Sequence, residues 1–300
     1  MSIASIQSKY PSAIWFDSNY VGTNSGTLAE PYDNLDTAIA ASDTNAKVIA
    51  IKDGSHTVSQ IGGNASGSNF SFTGSADKLS LVGVSTGSVL NFSGTNFGTA
   101  INFRGEANAA IHLETLKLVQ NSTGTQHRII FGGNDAASTI TVENCILEMG
   151  SDSLSASSNA GWFGGPTSQI TTLSISNTVI SGATSSATNA LLISTADVGG
   201  FSVFNVENCT IINVSGSSNT LSKQTSFTSS IFKNNIFVGT GSNSETLNYT
   251  PSTQGGNCFY DTGISSGNGG VVFADPQFVD SANDDYRLRP SSPCIGTGVA

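Results

Sequence analysis

Val142-Glu143-Asn144-Cys145-Ile146-Leu147 and Val206-Glu207-Asn208-Cys209-Thr210-Ile211-Ile212 are near copies of one another. Weaker copies lie around them: Leu113-Glu114-Thr115-Leu116, Ile175-Ser176-Asn177-Thr178, Phe232-Lys233-Asn234-Asn235 and Gly255-Gly256-Asn257-Cys258. Most run into a further apolar pair, such as Val179-Ile180 or Phe237-Val238. Successive copies are 29, 33, 31, 26 and 23 residues apart. An irregular period of this size, with two or three strands per unit, describes a solenoid. Aligned in this way, Asn144, Asn177, Asn208, Asn234 and Asn257 form one column. Asn tolerates the left-handed backbone that a tight corner needs. With coils ~4.8 Å apart, stacked amides can bond along the column.

Outward from this motif the chain reads as short apolar runs between turn residues. The runs are Val48–Ile51, Leu79–Val82, Val89–Phe92, Ala100–Phe103, Ile111–Val119, Ile129–Phe131, Ile140–Leu147, Leu173–Ile180, Phe201–Val206, Thr210–Val214, Ser230–Val238 and Gly270–Phe273. Several alternate, which buries one face. The clearest helical stretch is Leu35–Ala41: Leu35, Ala38 and Ile39 share a face, and Asp33 or Asn34 can cap it.

Composition agrees. Of 300 residues 33 are Gly, 37% are hydrophobic and only 11% charged, with a net charge of −10. An acidic chain lacks the basic face that nucleic acid or an anionic membrane requires. No apolar run approaches the ~18 residues of a membrane span, and residues 1–18 do not read as a secretory signal.

The ladder and coil pattern resemble the right-handed parallel β-helix of pectate-lyase-like proteins and phage tailspikes. Trp15-Phe16-Asp17-Ser18-Asn19 with Gly22 to Gly26, Pro31 and the Leu35–Ala41 helix resembles the opening segment of such proteins, where a helix caps the first coil. Lys52-Asp53-Gly54-Ser55-His56-Thr57 looks like their first turn after a strand. Asp275-Pro276-Gln277-Phe278-Val279-Asp280, Asp285-Tyr286-Arg287-Leu288 and residues 291–296 resemble a common closing segment. The expectation is therefore an all-β chain. Residues 1–44 form an N-terminal cap with a short helix, 45–270 a single-stranded right-handed parallel β-helix of ~8–10 coils, and 271–300 a C-terminal capping tail. Capping is required because the ends of a parallel stack expose apolar core and strand edges.

Candidate chemistry is sparse. Glu114 and Glu143 fall at equivalent outward positions on adjacent coils, ~5 Å apart, near the carboxylate spacing of retaining glycosidases. His112, Lys117, Arg104 and Arg128 lie in the same stretch. Elimination on a uronic acid needs a base, such as Lys117 or Arg128, and a cation such as Arg104 on the carboxylate. The catalytic Lys and Arg motifs of the lyase families align onto no position here, and a solvated charged face is the plainer reading. Gly83-Val84-Ser85-Thr86-Gly87 has the spacing of a nucleophile elbow, but a strand follows it where that motif needs a helix. No metal site is expected: Asp275, Asp280, Asp284 and Asp285 are the calcium alternative and lack EF-hand spacing, and His56, His112 and His127 lack paired ligand spacing. Trp15, Tyr20 and Trp162 are candidates for stacking on sugars, Trp15 more plainly for plugging the first coil. Cys145, Cys209 and Cys258 read as reduced residues of one column with Thr178 and Asn235, and Cys258 reaches Cys294 only if the tail folds back.

The expected function is non-catalytic: a virion surface protein, either a capsid-decorating knob or a tail or fibre component. It needs no cofactor; its expected partners are other virion proteins, with a host-surface polysaccharide as a further candidate. The resemblance implies a homotrimer. The alternatives are a polysaccharide lyase or hydrolase, or a secreted carbohydrate-binding adhesin, because this fold hosts many functions.

Overall fold

A computed structural model describes residues 1–42, 47–58, 78–93, 99–102, 110–121, 128–131, 138–149, 163–164, 170–181, 193–194, 202–214, 220–222, 228–239, 246–247, 251–261 and 269–300. The chain winds into a right-handed parallel β-helix whose stacked sheets, here A, B and C, hold nine, nine and six strands among the described residues. Sheet A runs from Ile14–Phe16 through Lys47–Ile51, Lys78–Gly83, Ala110–Glu114, Ser138–Glu143, Ile170–Ser176, Val203–Glu207 and Ser229–Lys233 to Thr253–Gly255. Sheet B stacks Gly54–Val58, Ser88–Phe92, Lys117–Gln120, Ile146–Met149, Val179–Ser181, Thr210–Val214, Ile236–Gly239, Asn257–Tyr260 and Gly270–Val272. The runs 111–119, 140–147, 173–180 and 230–238 are each two strands, broken by a corner residue with positive φ.

Period-two alternation builds the core. On sheet A, Ile49, Leu81, Leu113, Val142, Ile175, Val206 and Phe232 stack in register. On sheet B the inward column is Leu90, Leu118, Leu147, Ile180, Ile211, Phe237 and Phe259. All of these residues are buried. Toward the C-terminal end aromatic rings replace aliphatic chains: Phe237 stacks on Phe232 at 5.2 Å and on Phe259 at 5.0 Å.

Two helices serve different surfaces. Helix α1 spans Ile3–Lys9 and helix α2 spans Leu35–Ala41. The Asn34 carboxamide caps α2 by accepting from the Thr37 N–H, and the Lys47 ammonium donates to the Ile39 carbonyl at its other end. Leu35, Ala38 and Ile39 pack on Phe16 and Ile49, so α2 closes the first coil as expected. Helix α1 was not legible as a helix, because it buries Ile6 alone and so shows no apolar face of the kind that Leu35, Ala38 and Ile39 give α2. It lies on the outer side of sheet A, where Ile6 packs with Trp15, Ala50 and Val82. Trp15 is therefore no plug: Phe16 enters the core and Trp15, one residue away on an alternating strand, faces outward beneath α1.

The C-terminal segment begins at the last coil, where Phe273 stacks on Phe259 at 6.0 Å. It then folds back over sheet B as a hairpin, Phe278–Asp280 against Asp285–Leu288. The outer face of sheet B explains this path. Val119, Ile146, Val179, Ile212, Ile236 and Val238 point outward there; Val119 and Ile212 are buried by the coils and segments around them and the other four are partly buried. Pro276 and Phe278 line a depression with Val238, while Asp284 to Arg287 stand over Ile146 and Val179. A disulfide joins Cys258 to Cys294, with Cα atoms 6.2 Å apart, and ties this strap to the last coil.

Candidate functional site

The corner between sheets A and B decides what the repeated motif does. Thr115, Asn144, Asn177, Asn208 and Asn234 occupy equivalent corner positions with φ between 49° and 56°, the left-handed region. Each gives its N–H to the carbonyl of the next coil, as Asn144 does to Ser176 at 3.1 Å. Asn is favoured at such a corner because it bears positive φ with less strain than other side chains. Asn144, Asn177 and Asn208 project into solvent.

Asn257 is not the fifth member of this row. Lys233 pairs with Gly255, so Gly256 takes the corner, with φ of 65°, and Asn257 falls one residue further on. A side chain at position 256 would collide with the Asn234 carboxamide and crowd the Thr297 carbonyl. Glycine is thus required by the strap that crosses there, and the Asn-Cys dipeptide at 257–258 imitates the motif out of step.

The displaced asparagine joins a second, buried column: Cys145, Thr178, Cys209, Asn235, Asn257. Here side chains satisfy backbone donors of the preceding coil. Thr178 Oγ1 accepts from the Cys145 N–H at 3.3 Å, Asn235 Oδ1 from Cys209 at 3.0 Å, and Asn257 Oδ1 from Asn235 at 2.9 Å. Asn257 Nδ2 in turn donates to the Phe232 carbonyl at 2.9 Å. The left-handed corner and the amide ladder, expected of one column, are divided between two adjacent ones. Cys258 likewise leaves the cysteine column for the outward position beside Ile236. Burial pushes the free thiols of Cys145 and Cys209 up to about 12, which keeps them protonated and unreactive.

The charged candidates are held by the chain's own termini. Glu114 and Glu143 do pair in register on sheet A. However, α1 covers Glu114, whose carboxylate accepts from Lys9 Nζ at 2.7 Å and Tyr10 Oη at 2.8 Å. Burial acts to raise its pKa, but the hydrogen bonds from Lys9 and Tyr10 outweigh it and hold the group below the usual carboxylate value. Glu143 lies 4.0 Å from His112 Nε2. Lys117, three residues on and across the corner, is bound by Glu148 at 2.6 Å and by Asp284 of the strap at 3.0 Å. Burial acts to lower its pKa, but the two carboxylates leave it raised, so it holds its proton more firmly than a free lysine and is poorly suited as a base. Arg128 opens a strand of sheet C. Arg104, His127 and Trp162 lie outside the described residues.

The remaining candidates occupy local turns. Ser85 Oγ donates to Asp53 at 2.8 Å and accepts from the Gly87 N–H, making a coil corner between two strands. His56 is fully buried: its Nδ1 accepts from the Ser18 N–H, which places the proton on Nε2 toward the Lys52 carbonyl. The strap aspartates do not converge. Asp275 accepts from the Gln277 N–H, Asp280 from Asn283, Asp284 from Lys117 and Tyr286, and Asp285 from Arg287. Among the described residues no group of three His, Cys, Asp or Glu side chains is placed to hold a metal, and no helix is long and apolar enough to cross a membrane.

A cleft of about 430 Å³ remains between the corner row and the strap, lined by Asn144, Asn177, Asn208, Thr210 and Asp284 to Arg287. It was not foreseen, because one wall belongs to the chain terminus. Burial beside Asp284 pushes the Tyr286 hydroxyl up to about 12, so it stays a neutral donor there.

The Lys9–Glu114 pair carries a pH signature. A carboxylate depressed in the folded state contributes stability above its ordinary value of 4.5, and loses it as the pH falls through its lower folded value. Acid below the ordinary carboxylate range is therefore expected to loosen α1 first, seen as a change in Trp15 fluorescence when Trp162 is replaced by Phe. Lys9→Met, which leaves the covered carboxylate with Tyr10 alone, should cost roughly 1–2 kcal/mol, because Lys9 itself is half-exposed. Acid titration curves of Trp15 that are identical with and without Lys9 would refute the assignment.

No protein family, curated protein or solved structure that was compared with the chain matches it.

Proposed function

We propose that this chain is a non-catalytic surface protein of a virion, a capsid-decorating knob or a tail or fibre component, in which the β-helix supplies a stiff outer body. The observation that carries the non-catalytic reading is the engagement of Glu114 and Lys117. These two groups, the best placed for acid–base work, anchor the N-terminal helix and the C-terminal strap on either side of one corner, Glu114-Thr115-Leu116-Lys117. A base must be free to take a proton, whereas both of these are held in ion pairs. Stiffness follows from parallel ladders in three sheets, and the consecutive outward positions Thr141, Ser174 and Asn205 give the middle of sheet A a hydroxyl- and amide-bearing outer face. Such a face suits exposure to solvent and, in this reading, contact with a host-surface polysaccharide. Trimerisation is part of the proposal by resemblance to phage β-helices.

Two measurements test it. Immunogold labelling of particles from cells expressing the gene should decorate the particle surface; label confined to secreted, particle-free protein would replace the proposal with the adhesin. Purified protein incubated with acidic polysaccharides should generate no ultraviolet-absorbing unsaturated ends. Their appearance, abolished by Lys117→Met, would replace it with a lyase.

A further inference from the structure

The fourth asparagine of the corner row already binds something. Asn234 Nδ2 donates to the Val299 carbonyl at 3.0 Å, and its Oδ1 accepts from the Val299 N–H at 2.8 Å. A primary carboxamide has the donor and acceptor of a peptide unit, so this pair repeats the two reciprocal hydrogen bonds that opposite residues of antiparallel strands exchange. Lys233 Nζ adds a bond to the Ala300 carbonyl at 2.7 Å. The tail advances along the row from Gly256, against Thr297 and Gly298, to Asn234 at Val299. It thus points toward Asn208, Asn177 and Asn144, whose side chains are exposed along the cleft.

We propose that Asn144, Asn177 and Asn208, with Asp284 to Arg287 opposite, form a docking cleft for an extended polypeptide segment of a partner protein. Each asparagine offers the segment the two-point contact that Asn234 makes with Val299. Left-handed corners set the three side chains off the backbone at the coil repeat, the spacing at which successive carboxamides meet an extended chain. Asp284, Asp285 and Arg287 are the charged residues lining the cleft, two carboxylates against one cation, which favours a segment with small or basic side chains over an acidic one. This inference goes beyond the surface-protein reading and does not depend on it.

The probe is the acetylated hexapeptide of residues Ile295–Ala300, whose docked form the chain itself displays. Added in trans, it should bind saturably and shift the side-chain amide resonances of Asn144, Asn177 and Asn208 in the wild-type protein. Asn144→Gly/Asn177→Gly/Asn208→Gly keeps the positive φ while removing the carboxamides, and should weaken binding at least tenfold with the melting temperature retained. Asn234→Gly should leave the trans site intact. Absence of shifts at millimolar peptide would overturn the proposal. So would loss of binding only in Asn234→Gly, which would mean mere exchange with the resident tail. Neutral oligosaccharides shifting those resonances where the peptide does not would assign the cleft to a glycan instead. The particle-labelling result is unaffected by any of these outcomes.

Discussion

Phe237→Ala should destabilise the C-terminal half of the β-helix by about 4 kcal/mol. The side chain is fully buried between Phe232 and Phe259, which sit on two different strands and cannot collapse into the space independently. In a solenoid each coil contacts only its neighbours, so the loss should be local. Hydrogen exchange should rise first in Thr210–Val214, Ile236–Gly239 and Asn257–Tyr260, while Lys78–Gly83 and Ala110–Glu114 keep their protection. Uniform loss of protection along the stack, or a cost below ~1 kcal/mol, would contradict the stacked-aromatic account.

Asn257→Ala should be nearly as damaging, at roughly 3–4 kcal/mol, for a different reason. It strands the Asn235 N–H and the Phe232 carbonyl, both now bonded to a fully buried carboxamide. Each orphaned group costs roughly 1–3 kcal/mol. The same column supplies the control. Thr178 satisfies the Cys145 N–H while its hydroxyl donates to the Ser176 carbonyl at 2.8 Å. Asn257→Thr should therefore recover about half the loss in thermal or denaturant unfolding, because it restores the acceptor for Asn235 but not the donor to Phe232. If Asn257→Thr proves no better than Asn257→Ala, the buried ladder is not what Asn257 provides.

These two expectations mark the difference between the reading of the motif and its structure. The repeat and its alternating flanks established the coil, since inward apolar residues recur at every second position and the corner recurs once per turn. Asn144, Asn177, Asn208 and Asn234 all take the left-handed corner, where local backbone sterics favour asparagine over other side chains. The Leu35–Ala41 helix was legible for the same reason, its cap and apolar face being written within ten residues. Asn257 was misplaced because an Asn-Cys pair is chemically the same in register or one residue out. Only the crowding of Gly256 by Asn234 and the returning tail distinguishes the two.

What the sequence by itself determined is the β-helix, its period and its corner chemistry, because apolar alternation and the corner motif are written locally and repeated once per coil until the pattern is unmistakable. Only the tertiary structure decided what the charged residues do. Glu114 meets Lys9 across 105 residues and Lys117 meets Asp284 across 167. Nothing local encodes those partners: they follow from an apolar outer patch on the first coils of sheet A, at Trp15, Ala50 and Val82, and from the apolar outer face of sheet B, which draw the two ends of the chain back along the stack to cover them. The same folding-back turned apparent catalytic groups into anchors and left the asparagine-lined cleft beside the strap.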